Sequence, residues 1–140
     1  MFYCQYTVKT MAYRFIEHTS DIIIESENKD FASALTDMAM GMFTQMGKTR
    51  SVAAKISAEA NATSREELVV SFLSEILAQC EIELLIPNKI KIVSCSKSSI
   101  SAVIYGEKKP SENIIKAVTY HELSIEEKPG YCKIRVLFDI

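Results

Sequence analysis

The chain has 140 residues, of which 48% are hydrophobic and 24% charged, and a formal net charge of −2. This length makes one domain able to bury a core without staples, and the composition excludes a disordered tail. The slight acidic balance argues against strong direct nucleic-acid binding, which calls for a basic excess, and leaves only a local basic patch open.

Residues 1–12, opening MFYCQYTVKT, read as a leader ahead of a single domain over 13–140. They lack the apolar run of a signal peptide, and no stretch approaches the ~20 apolar residues of a membrane span. A cytoplasmic location is the expectation, and the sequon at Asn61-Ala62-Thr63 is then a coincidence.

Residues 13–25, rich in β-branched and aromatic side chains, form one strand or two short ones broken near Ser20. Asp30 caps a helix in which Phe31, Ala34, Leu35, Met38, Met42 and Met46 share one face, and Gly47 ends it. Such a methionine stripe is core filling. Residues 51–60 alternate as a strand. Ser64 and Glu67 then make a capping box for a helix that buries Leu68, Phe72, Ile76 and Cys80 and runs to about Glu83, before Pro87 forbids continuation.

Only strands follow. Residues 90–95 and 100–105 flank a turn at 96–99, and 114–125 and 131–140 flank another at 126–130, punctuated by Pro129-Gly130. Two helices packed on a mixed or antiparallel sheet of about six strands make an α+β fold.

Cys4, Cys80, Cys95 and Cys132 stand singly, with no C-x-x-C pair to write a zinc or redox motif, and read as buried small hydrophobes. Gly47-Lys48-Thr49 resembles the end of a phosphate loop. The glycine needed five residues earlier is Met42, and the tripeptide closes a helix instead of opening one, so a helix end is the reading.

Glu17-His18-Thr19-Ser20-Asp21 crowds two carboxylates, an imidazole and two hydroxyls beside the apolar run Ile22-Ile23-Ile24. Such groups pair or bind something, the plain alternative being a turn in which Thr19 or Asp21 satisfies local amides. At the other end, a strand with Cys132, Ile134, Val136, Phe138 and Ile140 on its buried face finishes on Asp139 beside the α-carboxylate of Ile140. Two anionic groups that close call for a cation if the terminus is ordered. A hairpin folded about Lys128 sets Ala117 opposite Asp139 and Lys116 opposite Ile140. The Lys116 ammonium is then either a counter-ion to the carboxylates or a charge facing a phosphate.

Three separated motifs carry a family resemblance. Tyr13-x-Phe15-Ile16-Glu17-His18-Thr19-Ser20-Asp21 resembles the archease opening, Ile115-Lys116-Ala117-Val118-Thr119-Tyr120-His121 its second signature, and Val136-Leu137-Phe138-Asp139-Ile140 its chain end. The helix over 31–46 is similar to the family's first helix. Ser20 stands where many members have Ala. The resemblance implies an α+β fold with helices on one side of a sheet, around a strand-helix-strand-strand module. It further implies a non-catalytic activator of the RtcB-type RNA ligase of tRNA splicing, promoting its guanylylation and multiple turnover and modulating its nucleotide choice. A divalent cation, Ca²⁺ with Mg²⁺ or Mn²⁺ as alternatives, is implied at Asp21, Asp139 and Ile140, with Lys116 in the functional set and His18 a further candidate.

Carboxylate and carbonyl oxygens suit such hard ions. His18 and His121 could join a site that tolerates manganese, although each is more often a hydrogen-bonded structural residue. The partner expected is the ligase, with tRNA halves engaged only indirectly. The rival readings are a small metal-dependent hydrolase using Asp21, Asp139 and a histidine, and an RNA-binding module, the latter disfavoured by net charge and by the absence of Trp.

Overall fold

The computed structural model describes residues 3–8, 11–17 and 21–140, with side chains over 13–16 and 21–140. In chain order the elements are β1 (Tyr3–Val8), β2 (Met11–Glu17), β3 (Asp21–Asn28), α1 (Phe31–Phe43), β4 (Ala54–Asn61), α2 (Arg65–Ile82), β5 (Leu85–Cys95), β6 (Ser99–Lys108), β7 (Ala117–Lys128) and β8 (Tyr131–Asp139). Every pairing among the described strands is antiparallel.

The α+β class stands, with the strands divided between two sheets: a five-stranded one ordered β1-β2-β3-β8-β7 and a three-stranded one ordered β4-β6-β5. Eight strands are described instead of about six, because the expected leader contributes β1 and the stretch over 13–25 is two strands. The helices pack on both sheets. α1 lies against β2, β3, β8 and β5, and α2 against β7, β4, β5 and β6.

Local chemistry sets both helix starts. The Asp30 carboxylate accepts from Ser33 N at 2.8 Å, and the Ser64 hydroxyl accepts from Glu67 N at 3.1 Å. The return arm of the capping box goes one residue further back, from Thr63 N to Glu67 Oε1 at 3.1 Å. α1 stops a turn before Met46, yet all six anticipated core positions from Phe31 to Met46 are buried. Gly47 follows with φ 130°, where any Cβ would meet the Ile86 side chain at 2.8 Å. Gly47-Lys48-Thr49 leads from that helix end towards β4 and opens no helix.

β5 begins at Leu85, earlier than expected, and runs through Pro87. It is an edge strand, where a residue without an N–H is tolerated, and its register slips between Pro87 and Lys89. β6 approaches it closely: a Cβ on Gly106 would lie 2.0 Å from the Ile86 carbonyl oxygen.

Alternation sorts the faces of β3. Ile22 and Ile24 join the core under the helices, and the buried Ser26 hydroxyl donates to Ala34 O at 2.8 Å. Asp21, Ile23, Glu25 and Glu27 face the other way. Cys80 and Cys132 are buried as expected, and burial pushes their thiols up to about 12 and about 11. Cys95 corrects the expectation. It sits exposed at the end of β5, next to the turn where Ser96 N donates to Ser99 O at 2.8 Å. The side chain of Cys4 lies outside the described residues.

Candidate functional site

Asp21 opens β3 and Asp139 closes β8, and their Cα atoms are direct partners in the antiparallel pairing. Opposed residues share a face, with Cβ atoms about 4.5–5.5 Å apart. Two motifs more than a hundred residues apart in the chain are thus brought together at one end of the five-stranded sheet. Ala117 of β7 completes the row as the other partner of Asp139.

The expected pairing of Ala117 with Asp139 is present for a reason the hairpin argument lacked. The turn is Pro129-Gly130, with Lys128 paired to Tyr131, which by itself would carry the register past Asp139. A bulge restores it. Residues 120–123 stand opposite Val136 alone, between the pairs Thr119–Leu137 and Ser124–Arg135. Glu122, at φ 57°, occupies the left-handed region inside that bulge.

Lys116 N donates to Asp139 O at 2.7 Å, which ties the entry of β7 to the end of β8. The Lys116 side chain is exposed, and among the described residues its ammonium makes no ion pair. Ile140 is half-buried and packs against the core, which holds the chain end beside the acidic pair. Asp139 is exposed and Asp21 half-buried.

The donor chemistry suits a hard cation: two carboxylates in one row. Water would have to complete its shell, since among the described residues no group of three or more His, Cys, Asp or Glu side chains is placed to hold a metal ion. His18 lies outside the described residues. His121 stands exposed in the β7 bulge, its Nε2 3.9 Å from Glu122 Oε2, four residues along from Ala117.

Further along the same face lies a cluster that sequence reasoning missed. Glu25 is 6% exposed. Its Oε1 accepts from Arg14 Nε at 2.6 Å and its Oε2 from Arg135 Nη1 at 3.0 Å, with Lys133 Nζ at 3.9 Å. Arg135 reaches on to Glu122 Oε1 at 3.4 Å. Burial pushes the Glu25 carboxyl up, but the hydrogen bonds from Arg14 and Arg135 and the Lys133 charge outweigh it and hold it below its ordinary value. The available signal was alternation: Arg14, Glu25, Lys133 and Arg135 each fall on the face opposite the apolar positions of their strands. Between this cluster and the acidic pair runs an apolar row, in which Ile23 is the partner of both Ile16 and Leu137.

These features define a small α+β domain with an acidic pair at one end of its five-stranded sheet. The sequence model of the Archease protein family matches residues 13–140. Protein archease of Methanosarcina mazei is 32% identical over 91% of this chain and 95% of its own. A Dictyostelium discoideum protein named archease-like is 29% identical over 91% of this chain and 93% of its own. Among solved structures, Protein 1598 of Methanobacterium thermoautotrophicum superposes with a TM-score of 0.74 at 24% identity, covering 91% of this chain and 98% of that one. One from Thermotoga maritima, described as an archease and possible chaperone, has a TM-score of 0.67 at 21% identity, over 89% and 94%. The chain belongs to the archease family.

Proposed function

We propose that this protein is a non-catalytic activator of an RtcB-type tRNA-splicing RNA ligase, promoting its guanylylation and repeated turnover and modulating its nucleotide choice. The observation that carries this reading is the direct pairing of Asp21 with Asp139, with Lys116 fastened by its backbone to Asp139 while its ammonium stays exposed. Family membership supports it, as does the description of the Thermotoga maritima relative as a possible chaperone, which fits a protein that works on another protein.

Asp21, Asp139 and the Ile140 terminus would hold a divalent cation, most simply Ca²⁺, which when bound would supply positive charge at this end of the sheet. The chain's own residues position that surface: the β3–β8 pairing fixes the two carboxylates, and Ile140 anchors the terminus. Lys116 presents a charge suited to a nucleotide phosphate on the ligase. A small metal-dependent hydrolase is the weaker reading. Asp139 is exposed, and a phosphoester there would stay in contact with water.

The test measures ligase turnover with excess RNA and GTP at matched metal. Lys116→Ala should fold and bind cation yet fail to support repeated ligation. Wild-type turnover by that variant would leave the lysine as local electrostatics. The protein incubated alone with phosphoesters and RNA should release no product, and metal-dependent hydrolysis lost in Asp139→Ala would favour the enzyme instead.

A further inference from the structure

The outer face of the three-stranded sheet carries a cluster that the reading above does not use. Along β6, Ser101, Val103 and Tyr105 alternate with the buried Ile100, Ala102, Ile104 and Gly106. Tyr105, half-buried on this central strand, is the register partner of Lys55 on β4 and of Lys89 on β5. In the next row Val103 stands between Ser57 and Lys91, and in the one after that Ser101 stands between Glu59 and Ser94. Lys55, Lys89 and Lys91 are all exposed. Among the described residues none of their ammoniums lies within ion-pairing distance of a carboxylate.

We propose that this face binds single-stranded RNA, with Tyr105 stacking on a base and Lys55, Lys89 and Lys91 holding the flanking phosphates. Neighbouring strands lie about 4.7–4.9 Å apart, so Lys55 and Lys89 leave the sheet roughly 10 Å apart on either side of the ring, and Lys91 follows Lys89 by about 7 Å. An aromatic platform with one lysine on one side and two on the other matches a polymer that alternates flat bases with negative phosphates. An acidic protein segment would match the charge and leave the central ring without a role.

The nearer acidic groups do not cancel the charge. Glu107, beyond Tyr105, is engaged by Thr49 Oγ1 at 2.5 Å and by Lys109 Nζ at 3.8 Å. Glu83, the C-cap of α2, shares a groove with Lys55 and Val103 and is paired with Lys108 Nζ at 3.2 Å. Glu75, which accepts from Gln79 Nε2 at 2.9 Å, and Glu59 border the Ser101 row, two rows away from Tyr105. The net charge of −2 is therefore compatible with a local cationic face, since the paired carboxylates of Asp21 and Asp139 sit on the other sheet. With three lysines the contact is weak and salt-sensitive.

The experiment is fluorescence anisotropy with a labelled single-stranded oligoribonucleotide at low and moderate salt, using the whole chain and no ligase. Wild type should bind at low salt. The combined Lys55→Gln, Lys89→Gln, Lys91→Gln variant should lose at least about ten-fold in affinity and lower the salt slope by about two. Tyr105→Ala should lose about ten-fold, and Tyr105→Phe should retain wild-type affinity, because stacking needs the ring and not the hydroxyl. Circular dichroism melts confirm folding of each variant. Equal binding by the triple variant overturns the proposal. So does polyphosphate or duplex RNA bound as tightly as the single strand with Tyr105→Ala unchanged, since that pattern is charge alone.

Discussion

The outer faces of the two sheets both carry charged side chains at alternate strand positions, and they use them in opposite ways. On the five-stranded sheet Glu25 is buried and shared by Arg14, Arg135 and Lys133, so charge is consumed inside the structure. On the three-stranded sheet Lys55, Lys89 and Lys91 stand exposed around Tyr105 with no carboxylate paired to them among the described residues. Within a single strand the two patterns look alike. Cross-strand register is what separates a structural ion cluster from a surface with charge to spare for a partner.

The contrast can be broken most severely where the three-stranded sheet is tightest. Gly106→Ala drives a methyl group towards the Ile86 carbonyl, 2.0 Å from the ideal Cβ position, and main chain cannot give way as a side-chain tip can. Urea unfolding should show a loss of more than about 3 kcal/mol. A near-native midpoint would mean that β5 can slide off β6, and that the register placing Lys89 beside Tyr105 is soft.

Next in size is Glu25→Gln, which leaves Arg14 and Arg135 facing a neutral amide. Fully buried pairs cost more to break, but both arginines reach water, so about 1–3 kcal/mol is expected in the same unfolding assay. The pH dependence has a definite sign. The folded carboxyl titrates below its ordinary value of 4.5, so its stabilisation is fully present above the unfolded value and is lost as pH falls through the folded one. Melting temperature followed downward from about pH 5 should drop more steeply for wild type than for Glu25→Gln. Parallel curves would show that the cluster contributes nothing to acid stability.

The acidic row gives a smaller effect on stability and a larger one on binding. Asp139→Ala, or one residue added after Ile140, should change stability by about 0.5 kcal/mol or less, since the position is exposed and a like-charge pair is relieved. Calorimetric titration with Ca²⁺ should show weaker binding in both variants. Unchanged affinity in both would remove the chain terminus from any cation site.

Smallest of all, Lys55→Gln or Lys89→Gln alone should leave stability within about 0.5 kcal/mol, because among the described residues neither lysine has an ion-pair partner to lose. A drop above 1 kcal/mol in thermal unfolding would reveal a structural task for these lysines and erase the distinction between the two faces.

Much of the fold was legible from local signals. Asp30 and Ser64 announce helix starts because their side chains satisfy amides two or three residues on, a contact wholly contained in the local chain. The buried faces of α1 and α2 follow from helical spacing, and the two hairpins, expected over 90–105 and 114–140, follow from alternation on either side of short polar turns, although their observed bounds differ. The motifs holding Asp21 and Asp139 were visible as crowded polar groups beside apolar strands, and Lys116 came from the expected hairpin register and the family resemblance.

Everything depending on which strand lies beside which was decided elsewhere. Alternation tells that a segment is a strand and which face is apolar, but not its partner. Hence the division into two sheets, the membership of β1 and the exposure of Cys95 were hidden. The β7 bulge was hidden too, and the pairing of Ala117 with Asp139 depends on it. Glu25 shows the same limit at one residue: its burial is bearable only because cations on β2 and β8 converge on it. By itself the sequence determined the helices and the strand faces, which are written in short-range spacing, and the family, which three separated motifs carry by resemblance. Tertiary structure alone decided that Asp21 and Asp139 are direct register partners, that Lys116 keeps its charge exposed and that Tyr105 lies between two lysines, because those neighbours are set by strand register across long stretches of chain.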